Sequence, residues 1–167
     1  MPEIKDIIRL RKADEHDLTL MLAWRNNPIV YQGFYTQSKT NHINSWEEHL
    51  AWWKSRPTSW HTFIIVLTRN ENSRPIGVVN VGQCEHWSPE IGFYVGSPSD
   101  WGKGYCKEAI LQTLTWIKHS LHRDYTHTTV LKSNERSIKL LESIGFLYMA
   151  EARPGEIWMA INLAKML

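Results

Sequence analysis

The chain has 167 residues, 43% of them apolar, with 19 lysines and arginines against 17 aspartates and glutamates. This length and composition predict a folded domain with a core and exclude a disordered chain, and a formal net charge of +2 gives no basis for nucleic-acid binding. No apolar run is long enough to span a membrane, and the N-terminus lacks the apolar core of a signal peptide, so we expect no membrane partner. Two isolated cysteines predict neither a disulfide framework nor a zinc site, so we expect a protein of the reducing cytoplasm.

The first third of the chain predicts one strand followed by helices. Alternating side chains over residues 6–12 indicate the strand, and residues 14–25 carry a helical face with acidic N-terminal residues. Asn26-Asn27-Pro28 ends that helix. Residues 29–44 are polar and predict a short helix and a loop, and residues 45–55 begin with a capping box, S-x-x-E, that predicts the next helix.

The remainder predicts six strands and two helices, with a polar hairpin turn at 70–74, Gly145 as a helix C-cap and Arg153-Pro154-Gly155 as a turn. The predicted strands are 62–68, 75–81, 89–96, 125–131, 146–151 and 156–163, and the helices are 105–117 and 134–143. The order indicates an α/β (α+β) fold, with a mixed sheet of about seven strands and about four flanking helices in a single domain over residues 1–167.

The stretch from Pro89 to Ala109 combines a strand, a glycine-bearing loop and the start of a helix at Tyr105. The first turn of a helix leaves backbone N–H groups unpaired and carries partial positive charge. Gly102 and Gly104 let a phosphate approach the backbone, and Lys103 adds a full charge. A diphosphate is the predicted ligand, and the alternative is a tight turn that binds nothing.

Two common phosphate motifs do not fit this loop. Lys107 stands where a dinucleotide fingerprint needs glycine, and Gly104 follows Lys103 where a P-loop needs serine or threonine. The loop instead resembles the acyl-CoA loop of the GNAT superfamily of N-acyltransferases, which is Gln or Arg, two residues, Gly, one residue, then Gly or Ala. That frame falls on Trp101, Gly104 and Cys106, so the central glycine matches and the two outer residues depart from the family pattern.

A second segment, Asn134 to Phe146, resembles the family's asparagine-bearing helix that ends in Gly-Phe. The resemblance covers nearly the whole chain, and it implies the GNAT fold and direct transfer of an acetyl group from acetyl-CoA to an amine, without a metal. The residues that it implies for acetyl-CoA binding are Phe93, Tyr94, Val95, Trp101, Gly102, Lys103, Gly104, Tyr105, Cys106, Asn134 and Ser137.

The resemblance also implies catalytic roles. Glu90, at the start of the central strand, is the expected base, acting through a water; the alternative is a solvated charge at a strand end, with Glu85 and His86 as fallback bases. The backbone N–H near Tyr94 or Val95 is the expected oxyanion donor.

The general acid departs from the family pattern, because Leu141 stands where the family often has tyrosine. Ser137 and Tyr148 are the predicted catalytic donors, with Tyr105 or water as alternatives. An acid is not required if the thiolate leaves unaided, since a free thiol has a pKa of roughly 8.5. Cys106 is interpreted as a small residue beside the loop rather than a nucleophile, because no histidine is tied to it by spacing.

The amine is expected to be selected by the N-terminal half. Trp24, Arg25 and Asn26, followed by His49, resemble a branch that acetylates nucleotide-linked amino sugars, and Arg25 could hold a diphosphate. The alternative is that Trp24 packs in the core while Arg25 and Asn26 cap a helix end. The second candidate acceptor is the N-terminus of a ribosomal protein, and the third is an aminoglycoside. A domain that binds acyl-CoA without catalysis is a further alternative. The apolar C-terminal strands allow a homodimer.

Overall fold

The computed structural model describes residues 5–166 and contains one seven-stranded sheet. The strands are β1 (Asp6–Lys12), β2 (His61–Arg69), β3 (Asn72–Gly82), β4 (Glu90–Val95), β5 (Tyr125–Leu131), β6 (Leu147–Glu151) and β7 (Glu156–Asn162). Their order across the sheet is β1-β2-β3-β4-β5-β7-β6, and β4 with β5 is the parallel pair while the other neighbours are antiparallel. The predicted mixed sheet is confirmed.

Six α-helices lie within residues 5–166, where the sequence predicts about four. They are α1 (Leu18–Arg25), α2 (Pro28–Tyr31), α3 (Tyr35–Thr40), α4 (Trp46–Ser55), α5 (Tyr105–His119) and α6 (Glu135–Ile144). Pro28 ends α1 as expected but also begins α2, because proline suits the first position of a helix and the Asn27 side chain accepts from the Ile29 N–H. The capping box of α4 and the glycine C-cap of α6 are present as predicted.

The β2–β3 hairpin is tighter than its polar sequence predicts. Asn70 adopts a left-handed conformation, with φ of 56°, so the chain reverses over two residues and Arg69 pairs with Asn72. Asparagine tolerates this region better than most residues, because its short side chain can hydrogen-bond locally. The predicted turn at 70–74 is therefore too long, and β3 begins at Asn72.

The two faces of the sheet are covered by different helices. On one face Ile65, Val79 and Ile91 pack with Ile110 and Leu114 of α5, and α6 joins the same core. This face holds the larger of the two hydrophobic clusters, and burying it supplies most of the apolar stabilisation.

The opposite face is only partly covered. Over β2 and β3 it carries Ile64 and Val78, which pack with Met21 and Trp24 of α1 and with α4. Over β5 and β7 the same face stays partly open, and Trp158 is 36% exposed. The uncovered part lies beside the N-terminal end of β4, which leaves room for a substrate. Within residues 5–166 no helix is long and apolar enough to cross a membrane.

Candidate active site

A cavity of about 710 Å³ lies where β4 and β5 diverge. The parallel register of these two strands consists of a single pair, Glu90 with His127, and the strands separate beyond it. The wall includes residues from β4, the loop before α5, both helix N-termini and the α2–α3 connection. The lining residues singled out by the sequence are Phe93, Tyr94, Val95, Trp101, Gly102, Gly104, Tyr105, Cys106, Asn134 and Ser137.

The loop before α5 forms a cradle for an anionic group. Gly102 and Gly104 have φ of 74° and 81°, and a Cβ at either position would meet open space. Gly104 is the N-cap of α5 and offers no side chain, so the first N–H groups of the helix stay available to a ligand. Trp101 fixes the loop by donating its indole N–H to the Val95 carbonyl at 2.9 Å. This backbone cradle fits the diphosphate of an acyl-CoA.

The edge of β4 that faces the gap supplies further backbone donors. The Gly96 N–H donates to the Ile76 carbonyl of β3, so by strand alternation the N–H groups of Phe93 and Val95 point the other way, toward the gap. The Ile91 carbonyl on that edge is already bound by the Thr128 hydroxyl at 2.7 Å. Phe93 and Val95 are therefore the positions from which N–H groups can reach a ligand in the cavity.

The start of α6 closes the cavity from the other side. The Asn134 side-chain oxygen caps α6 by accepting from the Ser137 N–H, and its Nδ2 lies 3.2 Å from the position that a Cβ on Gly33 would take. The Asn134 amide thus faces the α2–α3 connection across the cavity. Burial raises the pKa of Cys106 to about 12, so its thiol stays protonated and is unsuited to act as a nucleophile.

Two predicted coenzyme residues have other contacts. The Tyr105 hydroxyl donates to Asp6 of β1, which leaves its ring, but not its proton, at the cavity. Lys103 is exposed and lines a separate cavity of about 280 Å³ together with Arg69 and Arg74. Lys103 therefore lies on the far side of the loop from the larger cavity.

Glu90 lies at the end of the gap, on the sheet face opposite α5. Its side chain is 31% exposed, and burial followed by the nearby Glu156 charge raises the pKa of the Glu90 carboxyl. Arg153 opposes that rise and donates to Glu156 at 3.0 and 3.2 Å. A raised carboxyl pKa suits a general base, because the driving force for taking a proton increases toward neutral pH.

The predicted proton donors fall in different places. Ser137 lines the cavity, whereas Leu141 is fully buried in the core. Tyr148 is 58% exposed on the edge strand β6 and pairs with Met159, a residue of the larger core. Paired residues share a sheet face, so Tyr148 lies on the face opposite Glu90, and the structure does not bring it to the cavity.

Two of the predicted substrate residues have packing roles. Trp24 is 9% exposed and lies directly over Gly96, where a Cβ would approach its ring to 2.2 Å. Asn26 holds the segment before α4, because its side chain donates to the Asn44 carbonyl and accepts from the Asn44 N–H, both at 2.9 Å. Both placements agree with the packing alternative.

The other two substrate residues form a buried polar group with Tyr94. Arg25 lies 5.4 Å from the Trp52 ring, burial lowers its pKa, and no acidic side chain within residues 5–166 pairs with it. His49 is 1% exposed and stacks on Trp52, and within residues 5–166 its ring nitrogens make no hydrogen bond of good geometry, although a Leu18 backbone group is close enough to act on its pKa. Among the described residues the Tyr94 hydroxyl has no hydrogen-bond partner either, and burial raises its pKa. Buried polar atoms without partners are costly, so this cluster is suited to receive a polar ligand.

His127 is the residue that sequence reasoning missed. Its Nε2 lies 3.9 Å from the Glu90 carboxylate, and its Nδ1 lies 2.9 Å from the Ser88 hydroxyl. The alternation of side chains along residues 125–131 places His127 on the sheet face opposite its buried threonine neighbours. The sequence gives no sign that β5 pairs with β4 so that His127 lies beside Glu90. In the described part of the chain no cluster of three histidine, cysteine or acidic side chains could hold a metal ion.

Comparison with known proteins agrees with this architecture. The acetyltransferase (GNAT) domain family matches residues 8–147. The uncharacterized protein MJ1062 of Methanocaldococcus jannaschii is 38% identical over 158 residues, which cover 93% of this chain and 31% of the relative. The SPbeta prophage-derived uncharacterized N-acetyltransferase YokL of Bacillus subtilis is 26% identical, over 60% of this chain and 57% of its own. The chain thus spans about a third and just over half of these curated relatives.

Solved structures are similar over nearly the whole chain. A domain from Methanocaldococcus jannaschii has a TM-score of 0.90 and 37% identity, covering 95% of this chain and 100% of its own. Spermidine N-acetyltransferase from Vibrio cholerae, in complex with CoA and spermine, has a TM-score of 0.78 at 18% identity. The match covers 95% of this chain and 96% of that enzyme's chain. An acetyltransferase from Salmonella typhimurium with acetyl-CoA has a TM-score of 0.72 at 18% identity and covers 96% of both chains. With its seven-stranded mixed sheet and its match over residues 8–147, the chain belongs to the GNAT acetyltransferase family.

Proposed function

We propose that this chain is an N-acetyltransferase that moves an acetyl group from acetyl-CoA directly to a primary amine. The observation that carries the proposal is the cavity that joins the glycine cradle to Phe93, Tyr94 and Val95 of β4, while Glu90 lies at the start of the same strand, where β4 pairs with β5. Acetyl-CoA fits as co-substrate, because the cradle offers backbone donors to a diphosphate and the gap admits an extended arm. Two structural neighbours were solved with CoA or acetyl-CoA bound.

The residues at the gap supply what amine acetylation requires. An amine is protonated at neutral pH, and Glu90 takes a proton from it, directly or through one water. The N–H groups of Phe93 and Val95 face the gap and are the donors for the carbonyl oxygen of the transferred group. Ser137 is the candidate donor to the leaving sulfur, and a thiolate can also leave unaided.

The acceptor is proposed to lie along β4 on the face opposite α5. Glu90, Gly92 and Tyr94 follow one another on this face, and a Cβ at Gly92 would meet open space. The Cα atoms of Glu90 and Tyr94 are separated by roughly 13 Å, at about 3.3 Å per residue. An amine over Gly92 would therefore lie between the base at one end and the Arg25 cluster at the other.

An anionic acceptor suits the unpaired Arg25 best. Within residues 5–166 the Tyr94 hydroxyl and the His49 ring nitrogens are buried without hydrogen-bond partners and no acidic side chain pairs with Arg25, so an anionic group would satisfy all three. A nucleotide-linked amino sugar carries a diphosphate and an amine within one molecule. The spermidine acetyltransferases among the neighbours act on a polycation, which Arg25 would repel.

A protein N-terminal amine is the second candidate. The open face beyond Glu90, where Tyr125 is 41% exposed and Trp158 36% exposed, gives an extended peptide a route to the base. A single domain over residues 1–167, a cytoplasmic location and a homodimer stay predictions. One neighbouring spermidine acetyltransferase is dodecameric.

The test combines a binding measurement with an acceptor panel. Acetyl-CoA is titrated calorimetrically into the protein, and CoA release is then followed with a UDP-linked amino sugar, spermidine and a peptide with a free N-terminus. We expect acetyl-CoA to bind and the sugar to give the fastest release. Binding without release for any amine would replace the transferase by an acyl-CoA-binding domain. A folded protein that does not bind acetyl-CoA would refute both.

A further inference from the structure

A histidine of β5 connects the proposed base to a buried serine. His127 Nε2 lies 3.9 Å from Glu90 Oε2, and His127 Nδ1 lies 2.9 Å from Ser88 Oγ. Ser88 is 5% exposed, and the His127 side chain is 15% exposed. The His127 ring therefore lies between the other two side chains, at hydrogen-bond distance from Ser88 and at a longer distance from Glu90.

The surrounding packing fixes the imidazole in this orientation. The rings of His127 and Trp158 are 5.0 Å apart, and the parallel register places His127 directly beside Glu90. The Ser88 N–H donates to His86 Nδ1 at 3.1 Å, which holds the serine in place. Rotation of the His127 ring would break its contact with Ser88.

The hydrogen-bond partners favour one tautomer of His127. The Ser88 hydroxyl can accept a proton from Nδ1, and the nearby Ser88 backbone carbonyl can only accept. With the proton on Nδ1, the lone pair of Nε2 faces the Glu90 carboxyl. The separation of 3.9 Å exceeds a hydrogen bond, and such contacts shorten by side-chain rotation or through one water when a substrate binds.

We propose that His127 is a positioning residue for the base and accepts onward the proton that Glu90 removes from the acceptor ammonium. The inference rests on the proposed function. One ammonium N–H bond breaks and a Glu90 O–H bond forms; the Glu90 O–H then breaks as His127 Nε2–H forms, and the imidazolium releases its proton to solvent. Each transfer returns Glu90 to the carboxylate before the next turnover.

The charges around His127 explain why such a route is useful. Burial, followed by the nearby His86, lowers the pKa of the His127 imidazole, so an imidazolium formed there releases its proton readily, while Glu156 and Arg153 act on Glu90. An acceptor over Gly92 covers the open side of Glu90 during the reaction. The His127 imidazole gives the proton a route away from Glu90 while the acceptor blocks that open side.

The kinetic test compares His127→Gln with His61→Gln. His61 is a matched control, because it is also a half-buried strand histidine whose ring lies 5.0 Å from a tryptophan, Trp116. We expect His127→Gln to lower kcat about tenfold for an alkylamine, a small part of the 10²- to 10⁴-fold that a positioned base contributes. The KM for acetyl-CoA should not change, and imidazole in the buffer should restore the rate.

A second acceptor separates proton removal from structural damage. Hydroxylamine is already neutral at pH 7, so no ammonium proton has to be removed before attack, and the proton lost as the amide forms goes to the leaving thiolate; His127→Gln should therefore leave its rate unchanged. An equal loss of rate with both acceptors, or no loss with either, would overturn the proposal. If the wild-type protein acetylates no amine, the proposed function fails, and that failure is seen before any variant is made.

A spectroscopic measurement tests the coupling without any acceptor. Imidazole ¹⁵N spectra of the whole chain should place the His127 proton on Nδ1, with the resonance identified by its absence in His127→Gln. Glu90→Gln should shift the titration of His127 to lower pH, because it removes a neighbouring negative charge, and should leave His61 unchanged. A His127 titration that is the same with and without the Glu90 charge would contradict the proposal.

Discussion

The proposed coenzyme half of the site, which lies in the cavity, and the proposed acceptor half, which lies beside the cavity along β4, are built from different materials. The coenzyme half uses backbone groups, with Gly102 and Gly104 at positive φ and the free N–H groups of α5 and β4. The acceptor half uses side chains from separate elements, with Glu90 from β4, His127 from β5 and Arg25 from α1.

This difference decides how each half responds to mutation. A backbone cradle is changed by steric filling, because removal of a side chain removes none of its donors. An acceptor site built from side chains is changed by deletion of single groups, and each deletion leaves its partners unsatisfied. The two halves should therefore fail separately.

The largest expected effect is steric filling of the coenzyme half. Gly104→Glu should weaken acetyl-CoA binding at least a hundredfold, about 2.8 kcal/mol, because bulk and negative charge enter the phosphate cradle. Gly155→Glu is the matched control, since Gly155 has φ of 82° against 81° for Gly104, and a Cβ at either would meet open space. Calorimetric titration of acetyl-CoA measures both, and equal affinities would mean that the loop does not bind the coenzyme.

Removal of the proposed base should slow catalysis without weakening acetyl-CoA binding. Glu90→Gln should lower kcat by roughly 10²- to 10⁴-fold, the usual contribution of a positioned base, with acetyl-CoA affinity unchanged. Glu85→Gln removes an exposed acid in the connection between β3 and β4. This variant tests the fallback base in the same assay of CoA release. A rate lost in Glu85→Gln and kept in Glu90→Gln would reverse the assignment.

The Arg25 cluster should affect only anionic acceptors. Arg25→Met should raise the KM for a UDP-linked amino sugar roughly 10- to 100-fold, since hydrogen bonds to charged groups contribute about 1.5–3 kcal/mol. Arg56→Met is the control, because Arg56 also lies over the Trp52 ring, at 5.6 Å. If an uncharged alkylamine loses as much as the sugar nucleotide, Arg25 has a packing role.

The smallest effect concerns stability and pH. The pKa of Glu90 is raised in the folded state, so its ionisation opposes folding at pH values above that pKa and has no cost below the unfolded value near 4.5. Glu90→Gln should therefore raise the free energy of unfolding at pH 8 and not at pH 4. Partial solvent screening keeps this gain small. Urea unfolding at both pH values checks the sign, and a destabilised variant at pH 8 would contradict it.

The sequence describes the loop before α5 more completely than the surroundings of Glu90, for a physical reason. Strand, glycine loop and helix N-terminus lie within about twenty consecutive residues, so local signals suffice. His127 meets Glu90 only through the register of two strands that are far apart in the chain. Local periodicity does not determine such a pairing.

Tyr148 illustrates the same limit at the sheet edge. The β6–β7 register shifts between Tyr148 and Ala150, and one residue of shift moves a side chain to the other face. Periodicity alone could not assign Tyr148 to the face of Glu90 or to the opposite one. Arg25 was identified from its resemblance to a family segment, whereas its lack of an acidic partner needed the structure.

The hydrogen bond from Tyr105 to Asp6 joins the first turn of α5 to the outermost strand. Asp6 also binds Arg69 of β2 through two contacts, at 2.7 and 2.9 Å, so β1 is fastened at the point nearest the coenzyme cradle. A ligand that orders α5 there also favours the closed state of this edge, because local opening of β1 breaks the same contact. Amide hydrogen exchange along β1 should therefore slow when acetyl-CoA binds, although no residue of β1 lines the cavity.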